Sequence, residues 1–97
     1  MEAYEGMYET AKIRVEYKTR LGIIASAFNL VINGKLSDTV KCSLKDAIEN
    51  RTLQSVIVID GEELVVVAKI KTAGELLVVP EPEVYVGNTK IPMIKVS

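Results

Sequence analysis

The sequence predicts an α+β domain with one N-terminal strand, one or two helices at about residues 19–33 and 38–50, and a four- to five-stranded antiparallel meander at about 53–96. Three observations predict this class. Apolar and polar residues alternate near the N terminus, residues in the middle of the chain recur at helical spacing, and the last part is rich in Val and Ile, with Gly and Pro between the runs.

The first strand is predicted at residues 11–18, where apolar and charged side chains alternate strictly. The period of two is typical of a strand with one face buried. Its apolar members are Ala11, Ile13, Val15 and Tyr17. Residues 1–10 are acidic and are predicted to be an N-terminal tail, either frayed or docking a partner, so that the single α+β domain spans 11–97.

The first helix is predicted from a stripe of small and polar residues at spacings of four, three and four, made of Gly22, Ser26, Asn29 and Asn33. Thr19 is a suitable N-cap, and Gly34 a suitable helix end. Two features favour a hairpin instead. The segment contains several β-branched residues, and Asn33-Gly34 is a frequent two-residue hairpin turn. Helix is the preferred interpretation, and the hairpin remains the alternative.

The second helix is predicted at about 38–50 because four apolar residues share a helical face, namely Val40, Leu44, Ala47 and Ile48. After residue 52 the composition becomes that of a sheet. The runs 53–59 and 64–70 flank Asp60-Gly61 and predict a β-hairpin. Short strands at 76–79, 84–86 and 91–96 then complete the meander.

Both runs of this hairpin are apolar on both faces, so each face needs a cover. One helix of about fifteen residues covers one face of about three strands. Leaving several Val and Ile side chains of the other face in water forgoes on the order of 5 kcal/mol. We therefore expect a homo-oligomer, most simply a dimer, whose interface includes Val56, Val58, Val65 and Val67.

The composition argues against catalysis and against a metal or cofactor site. The chain has no His, which removes most nucleophile and base pairs, and its single cysteine, Cys42, is expected to be a small buried apolar residue. One cysteine also indicates a reducing, cytoplasmic setting. The longest apolar stretch, 21–32, is too short for a bilayer. The absence of His and Trp points to a heat-adapted source, whereas Asn33-Gly34 argues against one.

A basic strand face is the alternative site. The formal net charge is −1, so nucleic-acid binding would need a local patch. The candidate residues are Lys12, Arg14, Lys18, Lys69 and Lys71, which share one face only if their strands are adjacent. Glu16 interrupts the patch, and a solvated outer face is the preferred interpretation. The sequence thus predicts a non-catalytic protein-interaction or assembly module, with a small nucleic-acid-associated protein as the alternative.

Overall fold

The computed structural model describes residues 2–20, 24–41, 51–70 and 81–97, and these residues form nine β-strands and no helix. The strands are β1 (Glu2–Tyr8), β2 (Ala11–Arg20), β3 (Ile24–Ile32), β4 (Lys35–Lys41), β5 (Arg51–Ile59), β6 (Glu62–Ile70), β7 (Glu83–Val86), β8 (Thr89–Ile91) and β9 (Ile94–Lys95).

The strands form two antiparallel sheets. The first sheet has the order β4-β3-β2-β1-β9, and the second has the order β5-β6-β7-β8. The inward side chains of both sheets join one hydrophobic core, in which the largest buried residues are Tyr17, Phe28, Ile13, Leu30, Leu53 and Ile70. The two sheets therefore pack face to face, which is the usual way for antiparallel sheets to bury one face each.

The α+β prediction is wrong, because the described part of the chain is all-β. Residues 24–32 form β3 instead of a helix, and Asn33 and Gly34 form a hairpin turn with φ values of 52° and 80°. Only glycine adopts such values freely, and Asn tolerates them better than most residues. Leu30 and Ile32 point into the core while Val31 between them points out. Val31 is apolar although it points outward. This part of β3 therefore lacks the alternation of apolar and polar residues that identifies a strand in a sequence.

The second helix prediction is wrong at its start. Residues 38–41 belong to β4, while the rest of that prediction, 42–50, lies outside the described residues. Asp38 joins the edges of the two sheets. One carboxylate oxygen accepts the backbone N–H of Gln54 on β5 at 2.9 Å, and the other accepts that of Thr39 at 2.9 Å. An acidic side chain thus satisfies an edge-strand donor.

The first strand and the hairpin of the prediction are confirmed. Residues 51–59 and 62–70 pair as a hairpin around Asp60-Gly61, and β2 places its apolar side chains in the core. The predicted last strand of the meander at 91–96 is wrong, because Thr89–Ile91 forms β8 while Ile94–Lys95 forms β9, which belongs to the first sheet. The predicted strand at 76–79 lies outside the described residues. Residues 2–8, assigned to a tail from the sequence, form β1, which pairs with β2 on one side and β9 on the other.

Gly6 lies where the chain crosses from the second sheet to the first. A Cβ atom at this position would lie 2.5 Å from the backbone oxygen of Pro92 and 2.7 Å from the sulfur of Met93. The segment after β8 therefore passes directly over β1, and only glycine leaves room for it. This close approach allows β9 to reach the edge of β1.

We expect Gly6→Ala to lower the free energy of unfolding by about 3 kcal/mol, because a backbone oxygen cannot move away as a side chain does. Urea denaturation measures the change. Met7→Ala is the control, since the neighbouring side chain is exposed and its loss is expected to cost under about 1 kcal/mol. Equal urea midpoints for Gly6→Ala and the native chain would show that the segment after β8 does not pass this close to β1.

Tyr17 is the largest fully buried side chain. Its ring meets those of Tyr4 and Phe28 edge to face, with centroids 5.8 and 5.2 Å away. No described residue forms a hydrogen bond with its hydroxyl. Burial raises the pKa of Tyr17 well above its ordinary value, and the nearby Tyr4, Glu2 and Glu81 raise it further. We therefore expect this hydroxyl to lower the stability of the fold.

We expect Tyr17→Phe to raise the free energy of unfolding by about 1 kcal/mol, because it removes a buried polar atom without a partner. The gain should grow above about pH 10, where an unfolded tyrosine ionises but folded Tyr17 keeps its proton. Denaturation at pH 7 and pH 10.5 tests both effects. Tyr85→Phe is the control, and it should change stability by less than about 0.5 kcal/mol. A clear loss of stability in Tyr17→Phe would show that its hydroxyl has a partner.

Candidate interaction surface

The second sheet presents an apolar surface on the face that points away from the first sheet. Leu53 and Ile57 of β5 point inward and are buried, while Val56 and Val58 between and beyond them are 54% and 65% exposed. On β6, Val65 is 48% exposed. Strand alternation produces this division, because successive side chains of a strand point to opposite faces. The hairpin is apolar on both faces, and only the inner face is covered.

The four valines predicted from the sequence lie together on this outer face. Val56 pairs directly with Val65 in the cross-strand register, and Val67 pairs with Gln54 one step further along. Val67 is half-buried and also lies beside Tyr85 of β7. We call Val56, Val58, Val65 and Val67 the valine face.

Charged and aromatic side chains surround the valine face. Glu63 pairs with Val58 at one end, and Lys69 lies two positions beyond Val67 at the other. The Lys69 ammonium lies 5.3 Å from the centroid of the Tyr85 ring, within the range of a cation–π contact. Tyr85 and Glu63 were not predicted from the sequence as members of this surface. Alternation within β6 was the available signal for Glu63.

The inner face is covered by the first sheet instead of by a helix. Val66, Ala68 and Ile70 of β6 belong to the same core cluster as Ile13 and Leu30 of the first sheet. The first sheet therefore covers the inner face of the hairpin, where the sequence predicted a helix. The outer face has no equivalent layer among the described residues.

The candidate nucleic-acid residues are divided between the two sheets. Lys12 and Arg14 lie on the outer face of the first sheet, and Lys69 lies on the outer face of the second. These two faces point in opposite directions, so the three cations do not form one patch. The side chain of Lys18 and the whole of Lys71 lie outside the described residues.

Carboxylates accompany the cations on the first sheet. Arg14 lies between Glu5 and Glu16, with a nitrogen–oxygen distance of 2.8 Å to each, and Lys12 is 3.3 Å from Glu5. The hydrogen bond from Arg14 is the main cause that lowers the pKa of the Glu5 carboxyl. The outer face of the first sheet is thus a network of opposite charges, which is well solvated and electrically balanced.

A second apolar surface lies at the edge of the first sheet. Met7, Pro92, Ile94 and Val96 line an open groove of about 440 Å³, with Glu5, Gly6 and Lys12 at its sides. The groove follows the line where β9 meets β1. It is therefore separate from the valine face, which belongs to the other sheet.

The described residues offer no cluster of side chains for a metal ion. They contain no group of three or more His, Cys, Asp or Glu side chains able to hold a metal ion. Glu81 and Glu83 lie beside Lys90 in an open cavity of about 360 Å³ that Pro82 and Pro92 also line. Cys42 falls outside the described residues.

The comparisons with known proteins add no relative. No family model, no curated protein and no solved structure matches this chain. Among the described residues, no helix has the length and apolar character that a membrane crossing requires. Function is therefore inferred from the surfaces of the molecule.

Proposed function

We propose that this protein is a non-catalytic assembly module that forms a homodimer through the valine face. The observation that carries the proposal is the exposure of three valines on neighbouring positions of β5 and β6, directly behind a fully covered inner face. A contiguous apolar patch on the face of a regular sheet is typical of a contact surface. A two-fold dimer is the commonest way for a chain to cover such a patch with a copy of itself.

The energetics favour a reversible dimer. Val56, Val58 and Val65 are each about half exposed. Burying their exposed parts stabilises the dimer by about 3 kcal/mol per copy, or about 6 kcal/mol for both. Association costs at least about 4 kcal/mol in lost translation and rotation. The net free energy of association is therefore small, and the contacts of Tyr85, Glu63 and Lys69 around the valine face decide the final affinity.

The outer face of the first sheet does not compete for this role. Its central side chains are charged and paired with each other, as Arg14 is with Glu5 and Glu16. Covering it would remove these charges from water with little apolar gain. The same pairing and the division of the basic residues between two faces give the nucleic-acid alternative no supporting observation. A cytoplasmic location belongs to the proposal, because a single cysteine offers no disulfide within the chain.

We expect the native chain to elute as a dimer that dissociates on dilution, and Val58→Lys to be monomeric at every concentration tested. A lysine on the valine face would bring one added charge from each copy into the interface, and removing these charges from water opposes association. Light scattering after gel filtration, from millimolar to micromolar protein, measures the mass. Thermal unfolding should confirm that the variant folds, since Val58 is exposed in the single chain.

Leu36→Lys is the matched control. Leu36 is 58% exposed, close to the 65% of Val58, but it belongs to β4 of the first sheet. The substitution adds the same charge outside the valine face, and the dimer should persist. A monomeric native chain over the whole dilution series would overturn the proposal. So would equal loss of the dimer in both variants.

A further inference from the structure

The outward side chains of β6 carry opposite charges at their two ends. In order along the strand they are Glu63, Val65, Val67 and Lys69. Glu63 and Lys69 are six positions apart, which corresponds to about 20 Å of strand. The point midway between them lies at Val66, so the two charges and the two valines are arranged symmetrically about that level of the strand.

We infer that two copies stack their valine faces with the β6 strands antiparallel, so that Glu63 of each copy lies opposite Lys69 of the other. This inference rests on the proposed dimer and specifies the orientation of its partner. A two-fold axis that lies in the plane of the contact, perpendicular to β6 at the level of Val66, generates the arrangement. The same operation sets Val65 opposite Val67, and it forms each pair twice.

The geometry of stacked sheets permits these contacts. Packed sheets lie about 10 Å apart, and their strands cross at about 30°. At about 10 Å from the axis, where the charges lie, this crossing shifts the facing positions sideways by about 5 Å. Glutamate and lysine are long side chains that can span such a gap, whereas the short valines fill the centre.

Both charges are available for the contact. Glu63 is exposed, and no described residue forms an ion pair with it. Lys69 is exposed as well, and its ammonium lies over the Tyr85 ring on the same outer face. Tyr85 is itself held by its contact with Glu83, to which its hydroxyl lies at 3.4 Å. This arrangement directs Lys69 toward the surface that a second copy would cover.

The charges also disfavour the other two-fold arrangement. An axis parallel to β6 would set Glu63 opposite Glu63 and Lys69 opposite Lys69. Like charges facing each other across an interface weaken association and act against that orientation. The charge pattern of a single strand therefore distinguishes between two dimers that bury the same valines.

Reversal of the charges tests the orientation. We expect Glu63→Lys and Lys69→Glu each to raise the dimer dissociation constant about tenfold or more, because each creates two like-charge pairs per dimer. The double variant, which carries both changes, should return to within about threefold of the native value. Sedimentation equilibrium in low salt measures the constants, and the differences should shrink in 1 M salt.

The double variant separates this inference from the proposed dimer. With the β6 strands antiparallel, it restores opposite charges at both pairs. With the axis parallel to β6, it leaves like charges facing each other. A double variant as weak as the single ones would therefore overturn the orientation while the dimer itself stands. Single variants with native affinity would also overturn it. A native chain that never dimerises would overturn both proposals.

Lys69→Glu also places a carboxylate beside its cross-strand neighbour Glu83. If this variant unfolds more easily than the native chain, Lys69→Gln replaces it. This neutral variant should raise the dissociation constant by a smaller factor of about three. An unchanged constant would contradict the proposed orientation. Lys35→Glu is the matched control, since Lys35 is exposed on β4 of the first sheet and the same reversal of charge there should leave the dissociation constant at its native value.

Discussion

Two stacked sheets can each bury only one face against the other, and this constraint organises the whole molecule. The core consists of the inward side chains of both sheets, from Tyr17 and Phe28 on one side to Leu53 and Val66 on the other. Every outward position must then be stable in water or find another cover. The two outer faces meet this requirement differently. The first sheet carries a network of paired charges, while the second carries the valine face.

The sequence was most informative where a strand has one polar face or a defined turn. The alternation in β2 and the Asp60-Gly61 turn were both sufficient to identify their elements. The first helix prediction was wrong because apolar residues also occupy outward positions of β3, such as Ala27 and Val31. Such a strand has no period of two, and its small and polar residues then matched a helical stripe by coincidence. The Asn33-Gly34 turn was the better local signal, since it determines the direction of the chain directly.

The candidate surface could be predicted in part. Alternation within each run places Val56 and Val58 on one face of β5, and Val65 and Val67 on one face of β6. Pairing across the tight turn then joins the two sets. The contribution of Tyr85 could not be predicted in this way, because β7 pairs with β6 only after an intervening connection whose length does not determine the register. The basic strand face depended on β2 and β6 being neighbours, and the two strands belong to different sheets.

The return of β9 to the first sheet has a consequence for how the chain folds. Strands β1 to β4 and strands β5 to β8 each follow one another in sequence, so either sheet can assemble from contacts between neighbouring segments. Only β9 leaves this order, and it brings Ser97 to Ala3, where the amide of Ala3 donates to the oxygen of Ser97 at 3.2 Å. Closing so large a loop is entropically unfavourable until both layers exist. We therefore expect the last strand to pair with β1 only after the two layers have formed.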